Sequence, residues 1–147
     1  MNEIQNRLRD LMEHASKLIL NYQEFEMCIK PSPEKWSKKE ILGHLLDSGI
    51  NNLQRFTTIQ FESKPFKIDP YSQKGLVDSN DYQNSNTIEL LEFWIAINRR
   101  IIHVFGIQTQ TTLNFEIVLP NGDKSDLKFL MIDYVDHLEH HLNQILA

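Results

Sequence analysis

The stretch Asp133-Tyr-Val-Asp-His-Leu-Glu-His-His-Leu-Asn-Gln-Ile145 lies close to the C-terminus and carries three of the six histidines. At 100° per residue, its leucine, tyrosine and isoleucine side chains fall on one side of an α-helix. His137 and His141 lie at the margin of that apolar face, about 40° apart, while His140 points further towards solvent. Because residues i and i+4 stack one above the other, the imidazoles of His137 and His141 can both reach one metal ion. Two histidines are too few for a closed site, so this pattern calls for a third ligand elsewhere in the chain.

Length and composition predict a soluble protein with a single domain, residues 1–147. The chain has 147 residues, 41% hydrophobic and 24% charged, which is ordinary for a globular domain with a buried core. Its net charge of −5 argues against a nucleic-acid partner, because phosphate binding needs a basic surface. A single cysteine, Cys28, cannot form an intramolecular disulfide, so we expect a reducing compartment. The N-terminus lacks the apolar segment of a signal peptide and no apolar run has membrane-spanning length, so the sequence predicts a cytoplasmic protein with no membrane partner.

Four amphipathic segments predict an all-α fold. Apolar residues recur at steps of three and four in 2–28, in 38–61, in a third segment that begins at Asn84 or Ser85 and ends at Gly106, and in 126–145. The start of the second helix is signalled in detail. Ser37 and Glu40 have the spacing of a capping box, and Trp36 and Ile41 have that of a hydrophobic staple.

Two connections complete the predicted topology. Residues 62–83 form a connection of about twenty residues without evident structure of its own, which favours either a binding loop or a plain crossover between parallel helices. Residues 107–125 contain an alternating run followed by the turn signal Pro120-Asn-Gly-Asp123, which predicts a short strand or hairpin. Ser125 or Asp123 is the expected cap of the last helix. The predicted fold is a four-helix bundle with a long crossover between helices 2 and 3 and a short hairpin before helix 4.

The second helix carries a line of polar residues beside its apolar stripe. His44, Ser48, Asn51 and Arg55 lie within about 40° of one another around the helix axis. A polar line beside an apolar face is expected of a site between helices, and equally of an ordinary boundary between buried and exposed faces. Spacing alone leaves both interpretations open.

Two motifs together resemble a known family. They are Trp36-Ser-Lys-Lys-Glu-Ile-Leu-Gly-His44-Leu-Leu-Asp47, continued by Asn51-Asn-Leu-Gln-Arg55, and the terminal Tyr134-Val-Asp-His137-Leu-Glu-His-His141-Leu-Asn-Gln144. Their order and character resemble the DinB/YfiT-like family, in which three histidines bind a divalent metal inside a four-helix bundle. The resemblance implies His44, His137 and His141 as the metal ligands. It thereby supplies the third ligand that the last helix lacks.

Three functions are considered for such a site, of which the resemblance implies the first two. The first is a metal-dependent transferase, in which a low-molecular-weight thiol attacks a small electrophile; the second is a hydrolase that uses metal-bound hydroxide. The third is a non-catalytic metal-binding or stress-response protein. Zinc, nickel, iron and manganese all remain open as the metal, and a homodimer is expected because many family members pair through helix faces.

Several other residues are candidates for roles around the metal. Arg55 is expected to bind a carboxylate of the thiol cofactor, with a structural salt bridge as the alternative. Asp47 is expected either to orient a metal ligand or to be a solvated helix carboxylate. Asp47 and Asp133 are the candidate bases of the hydrolase, and Tyr71 and Tyr82 in the long connection are candidates for the pocket wall. No catalytic residue is assigned from the sequence.

Overall fold

The computed structural model describes residues 1–147 and confirms the predicted four-helix bundle. The long helices are α1 (Asn2–Ile19), α3 (Lys38–Thr58), α5 (Thr87–Gly106) and α7 (Leu127–Leu146). The shorter elements are α2 (Glu24–Met27), β1 (Phe66–Lys67), α4 (Gln73–Ser79), a 3-10 turn (Tyr82–Asn84), α6 (Gln110–Leu113), β2 (Glu116–Val118) and β3 (Lys124–Asp126). No helix combines the length and the apolar character needed to cross a membrane.

Contacts between helix ends give the directions of the four helices. The rings of Phe56 and Phe105, both near C-terminal helix ends, lie 5.5 Å apart, so α3 and α5 run in parallel. Lys38 at the start of α3 donates a hydrogen bond to the carbonyl oxygen of Ile145 at the end of α7, so these two helices are antiparallel. A parallel pair requires the chain to return along the helix, about 30 Å for 21 residues, which explains the long crossover.

The crossover has more structure than the sequence suggests. β1 pairs in parallel with β2, which in turn pairs antiparallel with β3, so the predicted hairpin is present and gains a third strand from the crossover. Ile68, Val77 and Tyr82 are buried and attach the crossover to the core. The expectation of a connection without structure of its own is therefore wrong, because contacts with distant residues order the segment.

The first predicted helix, 2–28, is divided in the structure. α1 ends at Ile19, and α2 begins anew with a capping box formed by Gln23 and Glu26. Leu18 and Phe25 belong to the apolar residues that recur at steps of three and four in 2–28, yet they are 37% and 68% exposed. The apolar spacing continues across the break, but the capping box at Gln23 starts a new helix, so the chain changes direction there.

Two other helix starts differ by one to three residues from the sequence expectation. Asn86 caps α5 by accepting a hydrogen bond from the backbone N–H of Glu89 at 3.0 Å. Asp126 caps α7 through the N–H of Phe129 at 2.8 Å, in place of the expected Ser125 or Asp123. Ser125 is unavailable as a cap because it is paired with Ile117 in the hairpin.

Candidate metal centre

The start of α3 determines where His44 lies. Ser37 Oγ accepts a hydrogen bond from the Glu40 N–H at 3.1 Å, and Glu40 Oε1 accepts one from the Ser37 N–H at the same distance. The predicted capping box is therefore confirmed. It holds Trp36 just outside the helix, where its ring lies 5.0 Å from the His44 ring, centroid to centroid. His44 itself is fully buried, two turns into the helix.

The structure brings together the three predicted metal histidines. One nitrogen atom from each of His44, His137 and His141 lies within 4.8 Å of the other two. The Nε2 atoms of His44 and His137 are 3.2 Å apart. Because α3 and α7 are antiparallel neighbours, the single histidine of α3 faces the i,i+4 pair of α7. The arrangement predicted from the sequence is therefore present in the fold.

The spacing of the imidazoles suits a divalent metal. Two nitrogens bound to one tetrahedral ion at its usual bond length lie about 3.3 Å apart. The separation of 3.2 Å between the Nε2 atoms of His44 and His137 is close to that value. Three histidines leave at least one coordination position open, which is the pattern of a catalytic rather than a structural zinc site.

The protonation states also suit a metal. Burial, followed by the charges of the neighbouring histidines, lowers the pKa of His44 to about 4 and that of His137 to about 4. Burial also lowers the pKa of His141, although its hydrogen bond to Gln144 works in the opposite direction. All three imidazoles are therefore neutral at pH 7, which is the form that binds a metal.

Gln144 determines the orientation of one ligand. Its Oε1 atom lies 2.8 Å from His141 Nδ1, so an Nδ1–H donor leaves Nε2 of His141 as the free lone pair. The exposed His140 lies beside Gln144 and outside the cluster, as expected. No role was predicted for Gln144, although its i,i+3 spacing from His141 indicates that the two side chains can meet on one helix face.

Asp47 takes no part in orienting His44. Its Oδ1 accepts a hydrogen bond from the Tyr82 hydroxyl at 2.6 Å, and His44 Nδ1 is buried without a partner. The expectation that Asp47 orients a ligand is therefore wrong, and so is the alternative of a solvated carboxylate, because the residue is buried. Tyr82 likewise supports the crossover and does not line the cavity beside the metal centre.

A cavity of about 250 Å³ adjoins the cluster at His137; we call it the Arg55 cavity. Arg55 Nη2 donates to the Asp69 carbonyl oxygen at 2.5 Å, and the guanidinium carbon lies 5.4 Å from the centre of the Tyr71 ring. Tyr71 lines this cavity, as expected. Ser48, Asn52 and Asp133 also line this cavity.

The polar line predicted along α3 is present with one change. Ser48 and Arg55 line the cavity, but the neighbour between them is Asn52 rather than Asn51. Asn51 instead donates to the Asp47 carbonyl oxygen at 2.9 Å on its own helix. Asn52 follows Ser48 by four residues and precedes Arg55 by three, a helical spacing that was visible in the sequence.

Comparisons with known proteins agree with this architecture. The family model of the DinB superfamily matches residues 3–145. The fold is similar to that of YfiT from Bacillus subtilis, described as a probable metal-dependent hydrolase with an unusual four-helix bundle topology, with a TM-score of 0.87 and 19% identity over 98% of this chain and 82% of that one. A mycothiol-dependent maleylpyruvate isomerase matches with a TM-score of 0.79 and 13% identity over 99% of this chain, which spans 60% of the isomerase. No curated protein matches the sequence. At these identities, the two solved structures establish the fold.

Proposed function

This chain belongs to the DinB superfamily, and we propose that it is a metal-dependent transferase that joins a low-molecular-weight thiol to a small electrophile. The observation that supports this most is a cluster of three neutral histidines beside a cavity that has His137 and one cation, Arg55, in its wall. No protein nucleophile is needed, because the attacking sulfur comes from the cofactor. Cys28 lies elsewhere, with its sulfur 4.0 Å from the Gln83 carbonyl oxygen.

The three imidazoles would hold a divalent ion, with zinc, nickel, iron and manganese as the candidates. Such an ion is a Lewis acid that lowers the pKa of a thiol or water bound to it, and so supplies a nucleophile at neutral pH. The protein contributes the neutral ligands, the orientation of His141 by Gln144, and a cavity beside His137 for the ligand.

Arg55 would bind a carboxylate of the thiol cofactor. A guanidinium has five N–H donors in a planar fork that matches a carboxylate. The bond from Nη2 to the Asp69 carbonyl oxygen fixes the side chain and leaves the other donors for a ligand. The hydroxyl of Ser48 and the amide of Asn52 add neutral hydrogen-bonding groups along the same wall.

Asp133 would accept the proton that the thiol releases. Its carboxylate lines the cavity one helical turn before His137, and burial raises its pKa, which makes it a stronger base. Asp47, the other candidate base, is excluded from this role because it is bonded to Tyr82 and does not line the cavity.

A hydrolase is the alternative function, with water in place of the thiol. The position of Asp133 beside the open side of His137 favours it, since the same carboxylate would accept a proton from water. The similarity to a protein described as a probable metal-dependent hydrolase is consistent with it. A non-catalytic metal-binding protein is less favoured, because such a protein has no need of an arginine and a tyrosine beside the open face of the histidine cluster.

The deciding experiment uses untagged protein loaded with each of the four metals. A panel of thiols with and without a carboxylate is incubated with an electrophile, and loss of thiol is followed together with product. We expect transfer with carboxylated thiols, and a rise of about tenfold in their KM in Arg55→Gln, the size of effect expected when one charge-assisted hydrogen bond is lost. Lys67→Gln is the matched control, because Lys67 is an exposed cation nearby.

The three functions give different results in this assay. Product that forms at the same rate with and without thiol would identify the hydrolase and overturn the transferase. Metal binding without turnover of any thiol, ester or amide in the panel would leave the non-catalytic function. Transfer that is unaffected by Arg55→Gln would contradict the role of Arg55 alone.

A further inference from the structure

A second cavity, of about 460 Å³, lies on the other side of the histidine cluster from the Arg55 cavity. It is bounded by the segment that precedes α3 and by the last turn of α7. Its walls are formed by Pro31, Glu34, Lys35, Trp36, Ile41, His141 and Gln144. We call it the Trp36 cavity.

The two cavities lie at opposite ends of the groove between α3 and α7. In the Arg55 cavity, the lining residues of α3 follow His44 and those of α7 precede His137 or are His137 itself. In the Trp36 cavity, Ile41 precedes His44, and the lining residues of α7 are His141 and Gln144. Because the helices are antiparallel, the histidine cluster lies between the cavities, and each has one histidine of α7 in its wall.

The chemistry of the two cavities differs. The Arg55 cavity has a mixed wall, in which a guanidinium, a hydroxyl and an amide lie among apolar side chains such as Ile68, Leu119 and Leu130, and its one cation suits an anionic group of a ligand. The Trp36 cavity presents an indole ring and an isoleucine close to the metal centre, with the exposed Glu34 and Lys35 at its rim. A half-buried indole is a flat apolar wall that favours an aromatic or conjugated ring stacked against it.

The walls of the Trp36 cavity are held by hydrogen bonds. Ser32 Oγ donates to Glu34 Oε1 at 2.9 Å, and the Lys35 N–H donates to the Ser32 carbonyl oxygen at 3.1 Å, so the 32–35 segment forms a defined turn. On the opposite wall, Gln144 is bonded to His141. These bonds therefore fix part of two opposite walls, as expected of a small-molecule site that is largely formed in advance.

We infer that the Trp36 cavity binds the electrophile, as an aromatic or conjugated ring stacked on Trp36, while the thiol occupies the Arg55 cavity. This inference rests on the proposed transferase function. The sulfur reaches the histidine cluster past His137 and the electrophilic carbon reaches it past His141, so that the sulfur attacks the carbon at the cluster. A sulfur–carbon bond forms, the bond from that carbon to its leaving group breaks with its electron pair, and the thiol proton passes to the Asp133 carboxylate.

The first test measures binding without catalysis. The full chain, loaded with zinc and labelled with ¹⁵N, is titrated with 1,3-dinitrobenzene, an aromatic ring without a leaving group. The chain has two tryptophans, and Trp94 is fully buried, so its indole N–H signal is an internal control. We expect a saturable shift of the Trp36 indole signal, identified by its absence in Trp36→Phe, with no shift for Trp94.

The second test measures turnover with 1-chloro-2,4-dinitrobenzene and a carboxylated thiol. Trp36→Ala is expected to raise the KM for the electrophile by about tenfold and to leave the KM for the thiol unchanged, whereas Trp36→Phe restores most of the loss. Phe25→Ala is the matched control, because Phe25 is an exposed aromatic residue outside both cavities.

The outcomes separate this inference from the proposed function. Shifts confined to residues of the Arg55 cavity, or no shift up to the solubility limit of the ring, would overturn the inference even if transfer occurs. A saturable Trp36 shift supports the assignment of the cavity even if no thiol is consumed, and that second result would count against the transferase alone.

Discussion

His44 and Asp47 lie one turn apart on α3, and both are buried, yet they belong to different parts of the molecule. His44 faces α7 and meets two other histidines. Asp47, about 60° away around the helix, faces the crossover and accepts a hydrogen bond from Tyr82. The element that packs against a buried polar residue therefore decides whether that residue belongs to a functional site or stabilises the fold. Its residue type alone does not distinguish the two.

The largest expected effect is the loss of metal from His44→Ala. Removal of a direct ligand is expected to weaken metal affinity by more than about a hundredfold, beyond the loss seen for residues that only hydrogen-bond a ligand. Metal analysis and competition with a chelator measure this effect in untagged protein. Asp47→Ala is the matched control one turn away, and equal losses of metal in the two variants would contradict the distinction.

Acid is expected to destabilise the metal-free protein through His44. Its pKa is about 4 in the folded protein and 6.5 in the unfolded chain, so the unfolded chain binds the proton more readily between these values. Stability is therefore lost as the pH falls from 6.5 towards 4, by about 3 kcal/mol from this residue. Urea unfolding at several pH values, compared with His44→Gln, measures the effect; identical slopes for the two proteins would refute it.

Asp47 is expected to change the stability with pH in the opposite direction to His44, because burial raises the pKa of its carboxyl group. A raised pKa means that the folded protein holds this proton more tightly than the unfolded chain, so stability declines as the pH rises from 3.8 through the folded-state pKa. The two groups thus change the free energy of unfolding in opposite directions with pH. Measurement of the His44→Gln variant is therefore needed to separate the contribution of His44 from that of Asp47.

Asp47→Ala is expected to destabilise the protein by about 2 kcal/mol at pH 7, because the buried Tyr82 hydroxyl loses its acceptor. Urea unfolding measures this change. Asp47→Asn keeps an acceptor oxygen without the charge, so it should recover most of the loss. A loss of metal without a loss of stability would mean that Asp47 acts on the site after all.

The smallest expected effect is that of Gln144→Ala, about a tenfold loss of metal affinity with stability unchanged. The cause is the loss of the acceptor that holds the Nδ1–H tautomer of His141. Gln144→Glu keeps an acceptor at the same position and should retain most of the affinity. Asn143→Ala, at an exposed neighbouring position, is the control, and an equal effect there would contradict the role of Gln144.

Much of the bundle was predictable because its signals are local. The capping box at Ser37 and the turn at Pro120 act over a few residues, and both predicted structures are present. The break after Ile19 was missed because apolar spacing continued through it. The ordered structure of the crossover was missed for a different reason. β1 forms only by pairing with β2, which follows about fifty residues later in the chain.

The sequence by itself determined the four helices and the position of the i,i+4 histidine pair, because helix formation and side-chain direction repeat with a fixed local period. Its resemblance to a known family added His44. Only the tertiary structure decided that Asp47 supports Tyr82, that Gln144 orients His141, and that two cavities flank the cluster. These features depend on which elements meet in space, and the ring of Tyr82 illustrates why: it packs so closely on Gly43 that a Cβ there would overlap it. Contacts of that kind join residues distant in the chain, and no local pattern encodes them.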